Sequence, residues 1–147
     1  MVMCIIGGLI TILKREPKEI SNLKSFEYAY SAGMTVNGYS RYKVDCSDKC
    51  IAIIKPVNLA EEEAKEIKLS KKQISKLEKI LKKYEVNKWD GFNKSDPNVL
   101  DGSSFGISIV MQNGDTISAH GYMKWPKNFS EVSKELDKMF EGLYNSK

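Results

Sequence analysis

The chain has 147 residues, 41% hydrophobic, 29% charged and 10% aromatic. That composition suits one domain with a single core and excludes a disordered chain apart from the last few residues. Its net charge is +4, from 23 basic and 19 acidic side chains, and only Arg15 and Arg41 are arginines. A nucleic-acid-binding domain ordinarily carries a larger excess and uses arginine forks, so the balance argues against nucleic acid.

Residues 2–13 are nearly all apolar, and Lys14-Arg15-Glu16-Pro17-Lys18 follows them. Twelve helical residues would span roughly 18 Å, short of the ~30 Å hydrocarbon core of a bilayer. A secretory signal puts basic residues before its apolar run and a small-residue cleavage site after it. Here the basic residues come afterwards, no such site follows, and Cys4 lacks the residues that precede a lipid-attachment cysteine. Gly7 and Gly8 would each weaken an isolated helix by about 1 kcal/mol relative to alanine. Residues 1–18 are therefore read as an N-terminal strand, or as an apolar leader that touches a membrane or partner, with a basic linker. Residues 19–147 are read as one domain. The expected location is the cytoplasm, peripheral at a membrane if the leader reading holds.

Strands are predicted at 24–30, 34–45, 50–55, 65–69, 105–111 and 116–122. The second and third make a hairpin with the three-residue loop Ser47-Asp48-Lys49. That register sets Cys46 opposite Cys50, Val44 opposite Ala52 and Tyr42 opposite Ile54, all on one apolar face. The cysteines are then either two small buried thiols or a disulfide or redox pair. A zinc site needs four ligands, and His120 is the only histidine, so no metal is expected.

Ser70 and Gln73 form a capping box at the start of the first helix, with Leu69 and Ile74 as its hydrophobic staple. Ile74, Leu77, Ile80, Leu81 and Tyr84 then recur at helical spacing. Lys68, Lys72, Lys76, Lys79 and Lys83 make a band on the other side. Such a band is a solvated face or a contact for phosphates or an anionic membrane, and Glu61, Glu62, Glu63 and Glu66 precede it. The last helix begins after Pro126 with Asn128 and Glu131 as a second capping box. It lines its core face with Phe129, Val132, Leu136, Met139, Phe140 and Leu143, and Gly142 marks its fraying or its cap.

Between the helices, a hairpin turning at Gln112-Asn113-Gly114 pairs Ile109 with Ile117, Ile107 with Ala119 and Phe105 with Gly121. This register keeps one apolar face, whereas a two-residue turn would mix the faces. Ser108, Ser118 and His120 fall on the other side, and His120 is expected as a half-exposed strand residue. The segment 87–104 has two readings. Trp89 and Phe92 plug the core while the Asp and Asn residues form turns, or the segment binds a ligand through Trp89, Asp90, Asn93, Asp96 and Asp101. The spacing does not meet the calcium-loop pattern, because no closing Glu follows Gly102.

Trp89-Asp90-Gly91-Phe92, Asp101-Gly102-x-Ser104-Phe105, Asn113-Gly114-Asp115-x-Ile117-Ser118-Ala119-x-Gly121 and Trp125-Pro126-x-Asn128-Phe129 together resemble a group of small clostridial-type bacterial proteins with no assigned activity. The resemblance runs from about 26 to 140. It implies an α+β domain, sometimes cytoplasmic and sometimes attached to an export signal, and it brings no catalytic or binding residues. Residues 2–13 depart from the short polar leaders of that group.

The expected fold is α+β: one two-layer domain, an antiparallel sheet of about six strands packed against two amphipathic helices at about 70–85 and 128–143. The expected function is a non-catalytic binding or protein-interaction module for a small polar ligand or a protein, with no cofactor. The alternatives are a hydrolase acting on a sugar or peptide through Asp90, Asp96 or Asp101 as paired carboxylates, and a membrane-surface protein using residues 2–13.

Overall fold

Alternating burial along one long strand sets the architecture in a computed structural model. The structure describes the strand backbones of 2–6 and 9–13 and all of 16–146. Strand β3, Leu23–Ser31, turns Phe26 and Tyr28 into the core and leaves Glu27 and Ala29 on the other side. Its neighbours are β4 (Tyr39–Asp45) and β8 (Ser104–Met111), both antiparallel to it. Beyond β4 lie β5 (Ile51–Lys55) and β6 (Lys65–Lys68); beyond β8 lie β9 (Thr116–Tyr122) and β7 (Asn93–Ser95). The sheet is seven-stranded, in the order β6-β5-β4-β3-β8-β9-β7, and only β7 runs parallel to its neighbour. Strand β7 is the addition to the six strands expected, and it falls inside the segment 87–104.

Both hairpin registers match the sequence reading. Tyr42 faces Ile54 and Val44 faces Ala52, while Ile107 faces Ala119 and Ile109 faces Ile117. Gly114 takes φ +90° at the second turn, the left-handed conformation that a bulged three-residue loop needs.

Helix α1 (Lys71–Lys83) and helix α2 (Phe129–Asn145) cover the face that carries Phe26, Tyr28 and Tyr42. Ser70 caps α1 by accepting from the Gln73 amide, and the Gln73 side chain accepts from the Ser70 amide at 2.7 Å. Leu77, Ile80 and Leu81 are buried from α1; Val132, Leu136, Met139 and Phe140 are buried from α2. The Phe140 ring stacks on Tyr42 at 4.6 Å and lies 6.0 Å from Phe26. Two polar contacts fix α2 on the sheet: Tyr42 Oη donates to Asp137 at 2.7 Å, and Tyr28 Oη meets Ser133 Oγ at 2.9 Å.

Three local expectations are corrected. Asn128 does not cap α2, because its side-chain amide donates to the Tyr84 carbonyl and its backbone is left-handed at φ +67°. Gly142 does not end α2, which continues to Asn145 and closes with the Ser146 amide on Leu143. Strand β4 starts at Tyr39, five residues later than predicted from 34, because Gly33 and Asn37 take positive φ and make 32–38 a loop. Met34 and Val36 on that loop are 82% and 90% exposed.

The apolar N-terminus forms β1 (Val2–Ile6) and β2 (Leu9–Leu13), an antiparallel pair in a two-stranded sheet of its own. Gly7, Gly8, Lys14 and Arg15 lie outside the described residues. Among the described residues no helix is long and apolar enough to cross a membrane.

Candidate functional site

With both helices on one side, no helix among the described residues covers the opposite face of the sheet. Residues in register across adjacent strands stand side by side. One such row runs Lys55, Arg41, Ala29, Gly106, His120 and Asn93. Its two central members are the smallest residues available, and long polar side chains stand on either side. The result is a trough of about 630 Å³. Its floor is two strands wide, roughly 10 Å across at the usual strand spacing.

Each wall is fixed by its neighbours. Arg41 Nε and Nη2 donate to Glu27 Oε1 at 3.2 and 3.1 Å, and Lys43 Nζ lies 3.8 Å from Glu27 Oε2. Tyr39 Oη donates to Glu61 at 2.6 Å, and that carboxylate pushes the Tyr39 phenol up from its ordinary value. Beneath the Tyr39 ring lies Lys55, 1% exposed, with its ammonium 3.5 Å from the ring centroid. Lys55 donates to the Asn37 and Tyr39 carbonyls, which ties the β3–β4 loop to the sheet. Burial pulls the Lys55 ammonium below its ordinary value, while Glu61 and Glu63 act in the other direction. On the far wall, Tyr122 Oη donates to the Val99 carbonyl and accepts from the Gly102 amide at 2.7 Å.

Gly106 makes the room. A Cβ at this position would sit 3.1 Å from His120 Cε1 and 3.2 Å from Nδ1, so the imidazole leans over the glycine. The trough thus offers a guanidinium, an imidazole, an amide and a carboxylate around a floor that carries only the Ala29 methyl group. That set can orient a ligand carrying both hydrogen-bond donors and acceptors.

The five expected ligand-binding residues are not brought together, and of them only Asn93 lines the trough. Trp89 is a core residue, 3% exposed, with its indole N–H donating to the Lys127 carbonyl at 2.9 Å. Its ring packs 6.0 Å from Phe105 and from Phe129, so the ligand-stacking role does not hold. Asp90 accepts from Lys18 Nζ at 2.9 Å and from the Ser118 amide at 3.0 Å, fixing the incoming chain to β9. Asp96 accepts from the Asn98 amide in a tight turn, and Asp101 sits at a turn with φ +58°. These carboxylates serve three different local structures.

Cys46 and Cys50 are joined by a disulfide across the β4–β5 turn. Among the described residues, no group of three or more His, Cys, Asp and Glu is placed to hold a metal ion.

Arg41, Glu27 and His120 escaped the sequence reading as a group. Their signal was the alternation that puts Ala29 and Gly106 outward between buried aromatic and aliphatic residues. No family model matches the chain, and no curated protein matches its sequence.

Proposed function

We propose that this chain is a non-catalytic binding domain and that a small polar ligand lies in the trough over Ala29 and Gly106. One observation carries the reading: the row across the open face shrinks to a methyl group and a hydrogen at the two positions between Arg41 and His120. Glycine inside a strand is destabilising by roughly 0.5–1 kcal/mol relative to alanine. Glycine at 106 lets the His120 ring lean over the strand, where a Cβ would lie 3.1 Å from Cε1, and keeps the floor between Arg41 and His120 low enough to take a ligand.

Arg41 and His120 suit the oxygens of a carboxylate or carbonyl, and Glu27 suits a hydroxyl or amine. Thermal-shift screening against sugar acids, amino acids and short peptides tests the reading. A ligand at 100 times its Kd adds about 2.7 kcal/mol to stability. Binding should disappear in Arg41→Gln and in Gly106→Val while both variants stay folded. A ligand bound equally well by all three proteins would place it elsewhere, and turnover that depends on Glu27 or His120 would contradict the non-catalytic reading.

The Cys46–Cys50 bond bears on location. Disulfides persist mainly in oxidising compartments, so it favours such a compartment over the cytoplasm expected from the sequence. Mass analysis of the alkylated protein from its host, unreduced, would show free thiols if that reading were wrong.

A further inference from the structure

Helix α1 carries an unusual charge distribution on its solvent side. Lys71, Lys72, Lys76, Lys79, Lys82 and Lys83 are all exposed. At 100° per residue they fall within an arc of about 140° along roughly 18 Å of helix. Among the described residues none of the six makes a salt bridge. The one acid on α1, Glu78, lies beside the arc and accepts from the Leu23 amide at 3.2 Å.

The acidic run before the helix does not neutralise this face. Glu66 pairs with Ile53 and lines a hollow on the open side of the sheet, away from the helices. Glu61 binds Tyr39, and Glu63 accepts from the Ala60 amide. Six ammonium groups of one sign therefore share a surface on which Glu78, at its edge, is the one acid of the helix.

Three features point to lipid as the matching anion. The arc contains no arginine fork, and the Tyr84 ring lies only at its C-terminal edge, 5.1 Å from the Lys83 ammonium, so the lysines lack the interleaved rings on which proteins stack nucleic acids. Residues 2–13 hold no charged side chain and one hydroxyl, Thr11, and among the described residues their strands pair with each other in a sheet of their own. The chain that follows is first tied to Asp90 and the Thr116 carbonyl through Lys18, and then passes α1, where Glu78 accepts from the Leu23 amide. A basic surface and an apolar segment on one chain are two signals that together hold a protein on a bilayer.

We propose that the lysine face of α1 docks on an anionic phospholipid surface, with the apolar N-terminal hairpin as the second attachment. The trough lies on the other face of the sheet, so it stays open to solvent in this orientation.

Co-sedimentation of the full chain with vesicles tests the proposal, comparing phosphatidylcholine with a phosphatidylcholine–phosphatidylglycerol mixture. The protein should bind the mixed vesicles, and added salt should weaken binding. Each lysine against an anionic leaflet contributes about fivefold in partitioning. Lys72→Gln/Lys76→Gln/Lys79→Gln should therefore bind about a hundredfold more weakly, with an unchanged circular dichroism spectrum. Ile5→Asp should weaken binding yet keep its salt dependence. Equal binding to neutral and anionic vesicles, or a triple variant that binds like the parent, would overturn the proposal. So would capture by a duplex oligonucleotide with no binding to mixed vesicles.

Discussion

Replacing Gly106 by valine separates a glycine kept for folding from one kept for space. The residue sits mid-strand in β8, between Phe105 and Ile107, opposite Ala29 on one side and His120 on the other. Its φ is not in the left-handed region, so no backbone conformation demands glycine here. Valine restricts the unfolded chain and suits a pleated strand, each effect being worth roughly 0.5–1 kcal/mol. Against this stands the contact of a new Cβ with His120 Cε1 at 3.1 Å, tighter than ordinary packing. That atom is the end of an exposed ring, which can turn aside toward solvent. The net expectation is a gain of about 0.5–1 kcal/mol, which moves the midpoint by a few degrees in a chain of this size. Urea unfolding at constant slope reads the change directly. A loss of more than about 1 kcal/mol would refute the reasoning, because Gly106 would then be a packing requirement and no sign of a ligand.

Other substitutions probe the frame around the trough. Phe140→Ala removes a fully buried ring stacked on Tyr42 and should cost about 3–5 kcal/mol in urea unfolding; a loss below ~1 kcal/mol would mean that α2 does not pin the sheet. Ser70→Ala deletes the α1 cap and should cost about 1 kcal/mol by the same assay. Asp137 gives a pH test. Burial raises its carboxyl above the ordinary 3.8, and the Tyr42 hydroxyl pulls it partly back. The folded state thus holds this proton more tightly than the unfolded chain, a stabilisation present at low pH and lost as pH rises through the raised value. Asp137→Asn keeps an acceptor for Tyr42 without that titration, so its stability relative to the parent should grow from pH ~3.8 upward toward neutrality. A flat or falling difference would contradict the assignment.

Local chemistry was legible in the sequence, and long-range alignment was not. The registers of Tyr42 with Ile54 and Ile107 with Ala119 follow from short turns that leave only one way to keep an apolar face. The Ser70–Gln73 box follows from adjacent residues. The trough depends instead on β3 lying between β4 and β8, which brings Ala29 beside Gly106 across 77 positions of chain, from 29 to 106. Nothing local fixes that pairing. Trp89 reads first as a core plug, with a ligand platform as the alternative, and Phe105 and Phe129 close around it as the plug requires. Asn128 has the right type for a cap, but the carbonyl of Tyr84, a residue distant in sequence, takes its amide.

The most direct measurement is an amide and imidazole NMR titration of the full chain with the ligand that gives the largest thermal shift. The account predicts that perturbed resonances cluster on Ala29, Arg41, Gly106 and His120, across four adjacent strands. Perturbations confined to Asp96, Asp101 and their neighbours, with the open face unmoved, would contradict it.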